Sequence, residues 1–270
     1  MKKKFLLSVV IPCYNCAETV SETIYSIINQ SLVVDVEIIC IDDCSTDRTS
    51  QVLESLRSET GILSIYKTES RSGRPSIPRN IGIEKSSGEI LMFMDADDVL
   101  PIDYLEKCLS YVTDKQFAGS LKHTFKSSVP PSDFYNDQRG KSFRVPKLML
   151  YSKNMFSMSG LLVKRSCLKN VKFENSYLED WRFLVRLRKN NVQGLLFICP
   201  RIFYRTHDNS ITPKRKIKQV KRVFLTLKRM HGLNSQVFFI VGYFLFGILK
   251  IVLEKYAWNS NYSSGMKNVT

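Results

Sequence analysis

Three carboxylates are crowded into four positions directly after an apolar run of strand length. Asp95, Asp97 and Asp98 follow the run at residues 90–94. Burying an unpaired carboxylate is costly, and clustered negative charges repel one another. A divalent metal that also bridges to a phosphate is the usual way to neutralise such a cluster. The residues therefore predict a metal and phosphate site, with a solvated acidic turn as the alternative.

Polar side chains also follow two earlier predicted strands. Apolar, β-branched runs at residues 6–11 and 36–41 are typical of strands buried on both faces of a parallel sheet. Tyr14 follows the first run, and Asp42 and Asp43 follow the second. Strand and helix patterns alternate with short connections, which predicts a doubly wound α/β sheet. Ligands collect at the carboxyl ends of such strands, so we expect these side chains to meet at one site.

The second half of the chain carries a weaker secondary-structure signal. Residues 127–141 predict a loop, either a functional lid or a disordered segment. Glu179 opens a predicted helix with an acidic first turn. Residues 195–199 and 201–205 predict two strands, one on each side of Pro200.

The positive charge of the chain is concentrated near its C-terminus. The net charge is +15 over 270 residues, and residues 214–229 contain eight Lys or Arg and no acid. Their apolar and basic residues fall on opposite helical faces, which predicts an amphipathic helix on an anionic membrane; packing against the main domain is the alternative. Residues 237–253 are almost entirely apolar and would span roughly 25 Å at 1.5 Å per residue, slightly short of a bilayer core.

These patterns predict two domains and a location. Residues 1–212 form the main domain, and residues 213–270 form a helical tail. The tail is expected to associate with the membrane through residues 213–253, by a marginal span or by an in-plane helix. Because basic segments favour the inner side of the membrane, we expect the protein on the cytoplasmic face.

The seven cysteines are more consistent with free thiols than with disulfides. Their number is odd and they are scattered through predicted strands and strand ends, as expected of a protein in a reducing compartment. Cys13, Cys16, Cys40 and Cys44 could instead be four zinc ligands. That alternative is disfavoured because Cys40 lies inside an apolar strand pattern.

Six short motifs occur in a fixed order between residues 5 and 212. They are Ser8-Val9-Val10-Ile11-Pro12-x-Tyr14-Asn15, Ile41-Asp42-Asp43-x-Ser45-Thr46-Asp47, Arg79-Asn80-x-Gly82, Gly88-Glu89 with Asp95-x-Asp97-Asp98, Glu179-Asp180-Trp181, and Tyr204-Arg205-x-His207-x-x-Ser210. Each is weak alone, but together they make the chain resemble the family 2 glycosyltransferases of bacterial surface-glycan synthesis. The resemblance implies the GT-A fold, with a Rossmann-like, mostly parallel sheet.

The resemblance also implies roles for individual residues. Asp97 would bind a divalent metal, Mg²⁺ or Mn²⁺, with His207 as a second ligand, and Asp180 would be the catalytic base. Asp98 is expected to be structural. The implied donor-binding residues are Pro12, Tyr14, Asp42, Asp43, Arg79, Asp95 and Ala96.

Within this set, more detailed contacts are implied. Asp42 would bond the base of the donor, Tyr14 would line the nucleotide pocket, and Asp95 would contact the ribose or the sugar. Arg79 would support the phosphates or the base, unless it is a surface arginine on a short helix. The family commonly has glycine at the position of Cys44, so the turn after Asp43 is expected to differ.

The implied chemistry is inverting sugar transfer from a nucleotide-diphosphate sugar. The leaving diphosphate must have its charge neutralised, which a metal does as a Lewis acid. The acceptor hydroxyl must lose a proton, which Asp180 would accept on the opposite side of the sugar. The alternative for Glu179 and Asp180 is that a helix N-terminus simply favours acidic residues.

The substrates follow from the family alone. The default donor is a UDP-sugar carrying a hexose or an N-acetylhexosamine, the acceptor is a glycan or a lipid-linked molecule, and no nucleic acid is expected. A nucleotidyltransferase or sugar-nucleotide pyrophosphorylase is an alternative, but it needs a glycine-rich, lysine-bearing loop that residues 12–16 lack. A basic binding module for membranes or nucleic acids is a second alternative, which rests on the tail only.

Overall fold

In the part of the chain that the structure describes, helices pack against one eight-stranded sheet. The structure, a computed structural model, describes residues 6–126, 141–206, 223, 225–226 and 240–253. The strands are β1 (Leu7–Cys13), β2 (Val36–Asp42), β3 (Leu63–Lys67), β4 (Ile90–Phe93), β5 (Gln116–Phe125), β6 (Ser142–Val145), β7 (Leu161–Lys164) and β8 (Gln193–Arg205). The helices are α1 (Val20–Ile28), α2 (Thr49–Thr60), α3 (Ser76–Lys85), α4 (Tyr104–Cys108), α5 (Lys147–Ser152) and α6 (Glu179–Lys189).

The sheet is mixed, with a parallel half formed by the first part of the chain. The strand order is β3-β2-β1-β4-β7-β5-β8-β6. Strands β3, β2, β1 and β4 pair in parallel, as do β5 and β8. Strand β7 runs antiparallel to β4 and β5, and β6 runs antiparallel to β8. The predicted α/β fold with a mostly parallel sheet is confirmed.

The register of the parallel half brings three polar strand ends to one edge. Cys13 at the end of β1 is level with Asp42 at the end of β2, and Val10 is level with Phe93 at the end of β4. Strand β1 is almost fully buried, and so are β2 and β4, because each is covered on both faces. The side chains that follow these strands are therefore held at the edge by a rigid apolar core.

The prediction of two strands around Pro200 is wrong. Strand β8 continues through that residue, and its partner β5 shifts register between Ser120 and Lys122 at the same level. A bulge tolerates a residue without an N–H group, which explains why the strand is not interrupted. The loop predicted at residues 127–141 lies, apart from residue 141, outside the described residues.

A helix at residues 240–253, here called the tail helix, lies against α5 and α6. The ring of Tyr243 is 6.2 Å from that of Trp181, and a Cβ atom on Gly242 would come within 2.5 Å of Ser152 Oγ. Within the described ranges, none of the helices combines the length and the apolarity needed to cross a membrane. The amphipathic segment and the domain boundary at residue 212 lie almost entirely outside the described residues, so both stay predictions.

Candidate functional site

The turn after β4 holds one of its carboxylates in the protein interior. Asp98 is fully buried, and its carboxylate accepts hydrogen bonds from Ser159 Oγ and from the backbone N–H of Arg205 at 3.1 Å. Burial, together with the charges of Asp95 and Asp97, raises the pKa of Asp98 well above its ordinary value. Asp98 therefore anchors the turn to the segment just before β7 and to β8, which fits the structural role expected of it.

Arg79 connects this turn to the acidic start of α6. Its Nη2 donates to Asp95 Oδ1 at 2.6 Å, and its Nη1 lies 3.8 Å from Glu179 Oε1. The Arg79 side chain is 3% exposed, and its guanidinium lies over the ring of Phe173 at 5.4 Å. The alternative of a surface arginine is wrong. Helix α3 carries this cation into the interior, where it joins two carboxylates that are 84 positions apart in the sequence.

Glu179 and Asp180 have different environments although they are neighbours. Burial and the charge of Asp180 raise the pKa of Glu179, and the nearby cation of Arg79 opposes that rise. Asp180 is only partly buried, and its Oδ2 accepts a hydrogen bond from Asn154 Nδ2 at 2.9 Å. Glu179 is therefore the carboxylate that faces the buried arginine, Asp180 is the one held by Asn154, and the role of Asp180 as catalytic base stays a prediction.

The entry to α6 is fixed on both sides of this acidic pair. Leu178 has a φ angle of 58°, in the left-handed region that costs a non-glycine residue about 1–2 kcal/mol. Trp181 is buried, and its Nε1 donates to the carbonyl of Leu150 at 2.6 Å. Backbone strain of this kind is often found next to functional side chains, and here it lies one residue before the acidic pair, with the buried Trp181 directly after it.

Asp43 holds the loop between β3 and α3. Its carboxylate accepts bonds from Thr68 Oγ1 at 2.9 Å, from the N–H and Oγ of Ser72 at 2.9 and 2.8 Å, and from Gly73 N at 3.2 Å. The side chain is 4% exposed. These bonds give Asp43 a role in shaping the loop, and direct contact with a donor stays a prediction.

Asp42, next to it, has fewer partners. Its Oδ1 accepts a bond from Ser45 N at 3.0 Å, and its Oδ2 lies 3.9 Å from Lys67 Nζ. The residue is 1% exposed in this structure. Cys44, which follows the pair, has a φ angle of 59°, so it adopts the conformation that glycine adopts most easily. The backbone of the turn is thus the one that a glycine would favour.

The loops after β1 and β2 are joined to each other. Asn15 Oδ1 accepts from Thr46 N at 2.8 Å, and the Asn15 N–H donates to Ser45 Oγ at 3.0 Å. Tyr14, 36% exposed, has the guanidinium of Arg71 4.2 Å above its ring. The polar residues of two motifs therefore build one rim at the carboxyl edge, with Tyr14 open to solvent there. Pro12 and Ala96 lie at the same edge, on β1 and on the turn after β4.

A buried network at the opposite end of β4 was not predicted. Glu37 accepts bonds from Ser8 Oγ at 2.6 Å, from the N–H and Oγ of Ser87 at 2.6 and 2.9 Å, and from Gly88 N at 3.1 Å. A Cβ atom on Gly88 would meet the backbone N of Ser8 at 2.7 Å, so only glycine fits there. The signal available in the sequence was an acid inside an apolar strand pattern, since a buried carboxylate needs several donors.

Within the described residues the predicted metal site can be tested only in part. They contain no group of three or more His, Cys, Asp or Glu side chains arranged to hold an ion. Arg205, whose Nε donates to the carbonyl of Asp97 at 3.1 Å, fixes the backbone of that residue. Burial is the main cause of the raised pKa of Asp98, and the charges of Asp95 and Asp97 add to it; a cation close to these two carboxylates would offset the second cause. Mg²⁺ is commonly bound through one or two carboxylates together with substrate phosphates, which fits Asp97. His207 lies outside the described residues.

Among the described residues, the cysteines do not form a zinc site. All seven are free thiols, and six of them are buried. The prediction of free cysteines is confirmed, and the arrangement of Cys13, Cys16, Cys40 and Cys44 as metal ligands is not supported within the described residues.

The sequence is similar to those of known glycosyltransferases. A family model described as "Glycosyl transferase family 2" matches residues 8–171. The chain is 32% identical over 166 residues to the poly(ribitol-phosphate) beta-N-acetylglucosaminyltransferase TarS of Staphylococcus aureus, covering 60% of this chain and 28% of TarS. It is 25% identical over 256 residues to the UDP-Glc:alpha-D-GlcNAc-diphosphoundecaprenol beta-1,3-glucosyltransferase WfgD of Escherichia coli, covering 91% of this chain and 95% of WfgD.

Solved structures give the same fold. A crystal structure of residues 1–349 of TarS in complex with UDP-GlcNAc matches with a TM-score of 0.66 at 19% identity, covering 83% of this chain and 66% of that one. The mannosyltransferase PcManGT of Pyrobaculum calidifontis, in complex with GDP-Man and Mn²⁺, matches with a TM-score of 0.64 at 17% identity, covering 100% and 77%. At these identities the likeness concerns the fold.

Proposed function

Because the chain belongs to glycosyl transferase family 2, we propose that it transfers a hexose or N-acetylhexosamine from a UDP-sugar to a hydroxyl group of a glycan or lipid-linked acceptor, with inversion at the anomeric carbon. UDP is favoured as the nucleotide because WfgD is named for a UDP-glucose donor and TarS was crystallised with UDP-GlcNAc. The structure of PcManGT contains GDP-Man instead. The acceptor class follows from the names of the first two enzymes.

The observation that supports this proposal most is the position of Arg79. Its guanidinium bonds Asp95 on the carboxylate turn and approaches Glu179 at the start of α6. The donor side of the predicted site and its acceptor side are therefore parts of one connected arrangement. A solvated acidic turn would need no buried arginine between two carboxylates.

A divalent metal would be held by Asp97, with His207 as the second protein ligand. When bound, it would neutralise charge on the leaving diphosphate as a Lewis acid. Arg79 fixes the carboxylate of Asp95 through a hydrogen bond of 2.6 Å, which would keep that acceptor group in place for a ribose or sugar hydroxyl. Chelation should abolish turnover, and Mn²⁺ or Mg²⁺ should restore it.

Proton removal from the acceptor is assigned to Asp180. The Asn154 amide bonds Oδ2 of this carboxylate and orients it, and the other oxygen is the one proposed to accept the proton. Attack by the hydroxyl from the face of the sugar opposite the diphosphate inverts the anomeric centre. A positioned general base contributes about 10²–10⁴-fold to the rate.

The proposal is tested in two steps, first by finding the donor and then by replacing Asp180. Nucleotide-sugars are screened with Mn²⁺ by thermal shift, since a ligand at about 100 times its Kd stabilises a protein by about 2.7 kcal/mol. With the donor found, Asp180→Asn should keep that thermal shift and lose about 10²–10⁴-fold in transfer. Asp114→Asn, which changes an exposed carboxylate bonded to Ser166, is the matched control. Unchanged transfer by Asp180→Asn would refute the assignment.

A further inference from the structure

The tail helix has one face buried against the domain and one face exposed. Its inner face includes Tyr243, whose ring is tilted against Trp181, and the partly buried Phe246 and Leu253, which pack against the apolar cluster that contains Leu150 and Phe156. Arg201, itself 3% exposed, donates from Nη2 to the carbonyl of Leu253 at 2.9 Å. These contacts fix the rotation of the helix about its own axis.

The outward face consists of large apolar side chains at helical spacing. Each is exposed by 39–62%. They are Val241, Phe244, Leu245, Ile248, Leu249, Ile251 and Val252. At 1.5 Å per residue the helix is about 21 Å long. A contiguous exposed apolar face of this kind marks a binding surface for a protein or a membrane.

We propose that this face docks in the plane of a bilayer that contains anionic phospholipid. One face of the helix is committed to the protein, so the other can enter the boundary between headgroups and acyl chains only along its length. The sequence just before the helix, residues 214–229, contains eight Lys or Arg and no acid, which complements anionic headgroups. A second copy of this chain would carry the same net charge of +15, and this overall repulsion opposes self-association.

The tail helix also contacts the residue that holds the proposed base. Lys250, on the tail helix, donates from Nζ to the carbonyl of Asn154 at 3.2 Å, and the amide of Asn154 bonds Asp180. The helix therefore supports the segment that orients Asp180. This part of the inference rests on the proposed function. Docking would hold the acceptor side of the site at the bilayer surface, where a lipid-linked acceptor presents its hydroxyl. The basic residues of 214–229 would favour the cytoplasmic leaflet.

The experiment measures flotation of the purified full chain with vesicles, which needs no turnover. Wild type should float with vesicles of phosphatidylethanolamine and phosphatidylglycerol, and less with phosphatidylcholine alone. The double variant Leu245→Gln/Ile248→Gln changes the two most exposed side chains of the face, at 60% and 62%. It should bind at least about tenfold more weakly, because half-exposed apolar side chains each contribute on the order of a tenfold change in affinity. Val33→Gln/Ile102→Gln, exposed by 91% and 48% outside this face, should float like wild type.

Two outcomes would overturn the docking proposal. One is equal flotation of wild type and the Leu245→Gln/Ile248→Gln variant. The other is a wild-type dimer in size-exclusion chromatography that this variant converts to a monomer, because the face would then bind a second copy. Transfer to a water-soluble acceptor, measured without vesicles, tests the proposed function separately: the variant should keep it, and an inactive wild type that floats would refute only the enzymatic proposal.

Discussion

Replacing Arg79 tests whether the two halves of the site are joined by a buried cation. Arg79→Met keeps the length of the side chain and removes its charge and its donors. Asp95, whose side chain is 33% exposed, would lose its 2.6 Å partner, and Glu179, 15% exposed, would lose the cation 3.8 Å away. Breaking a buried ion pair by removing one partner costs about 3–5 kcal/mol.

The lower end of that range applies here. Asp95 is a third exposed, so water can partly replace the arginine, and we expect a loss of about 3 kcal/mol. For a protein of this size, 1 kcal/mol corresponds to roughly 2–4 °C in Tm, so Arg79→Met should melt about 6–12 °C below wild type. Arg79→Lys keeps the charge but lacks the planar guanidinium, so its Tm should lie between those of wild type and Arg79→Met.

The pH dependence of this loss has a definite sign. The pKa of Glu179 is raised by burial and by Asp180, and Arg79 opposes that rise. A carboxyl whose folded pKa is raised contributes stability below its unfolded pKa, and this contribution is lost as the pH rises through the folded pKa. Removing Arg79 raises the folded pKa further and enlarges that loss. The difference in Tm between wild type and Arg79→Met should therefore be larger at pH 8 than at pH 4.

Thermal unfolding monitored by circular dichroism, in EDTA and across that pH range, provides the measurement. Arg57→Met is the matched control, because Arg57 pairs with Glu54 at 2.6 Å on the surface with both side chains about half exposed. Such a pair contributes at most about 1 kcal/mol. If Arg79→Met melts no lower than Arg57→Met, or if its deficit grows on acidification, the buried connection is refuted.

Two further predictions concern the elements that position the strand ends. Burial works to raise the pKa of Glu37, but its hydrogen bonds from Ser8, Ser87 and Gly88 outweigh burial and hold the pKa below its ordinary value. The stability that ionised Glu37 contributes is therefore present above its unfolded pKa and lost as the pH falls through its folded pKa. In urea unfolding, Glu37→Gln should cost about 1–3 kcal/mol at pH 7 and less near pH 3. An equal cost at the two pH values would contradict this. Cys44→Val should destabilise the protein by about 1–2 kcal/mol, because a β-branched residue is strained at a φ of 59°. Cys44→Gly should unfold within about 1 kcal/mol of wild type. Similar unfolding midpoints for the two variants would refute the backbone argument.

The first half of the fold could be predicted because its signals are local. Runs such as residues 36–41 are apolar over strand length, and the helices between them repeat at helical spacing, so each element is specified by its own residues. Strands β5 and β6 were not predicted. Strand β5 contains Lys122 and His123 among its apolar residues, and β6 has four residues. Both form because β8 lies between them as a partner, and that partner is 40 or more positions away in the sequence.

The tail helix likewise could be predicted as a helix, but not how it is oriented. Apolarity over residues 237–253 predicted a helix, and residues 240–253 are helical. The sequence left a span and an in-plane helix equally open, because almost every side chain is apolar. The contacts of Gly242 and Tyr243 with the domain distinguish a buried face from an exposed one.

By itself, the sequence determined the family, the α/β class and the types of residue that end each strand. It did so because strand periodicity and short motifs are properties of contiguous residues. Only the tertiary structure decided how neighbouring acids divide their roles: Asp43 holds a loop that begins at Thr68, Asp98 is enclosed by Ser159 and β8, and Asp95 is paired with Arg79. A carboxylate takes its role from the donors that surround it, and these donors come from distant parts of the chain that only folding brings together.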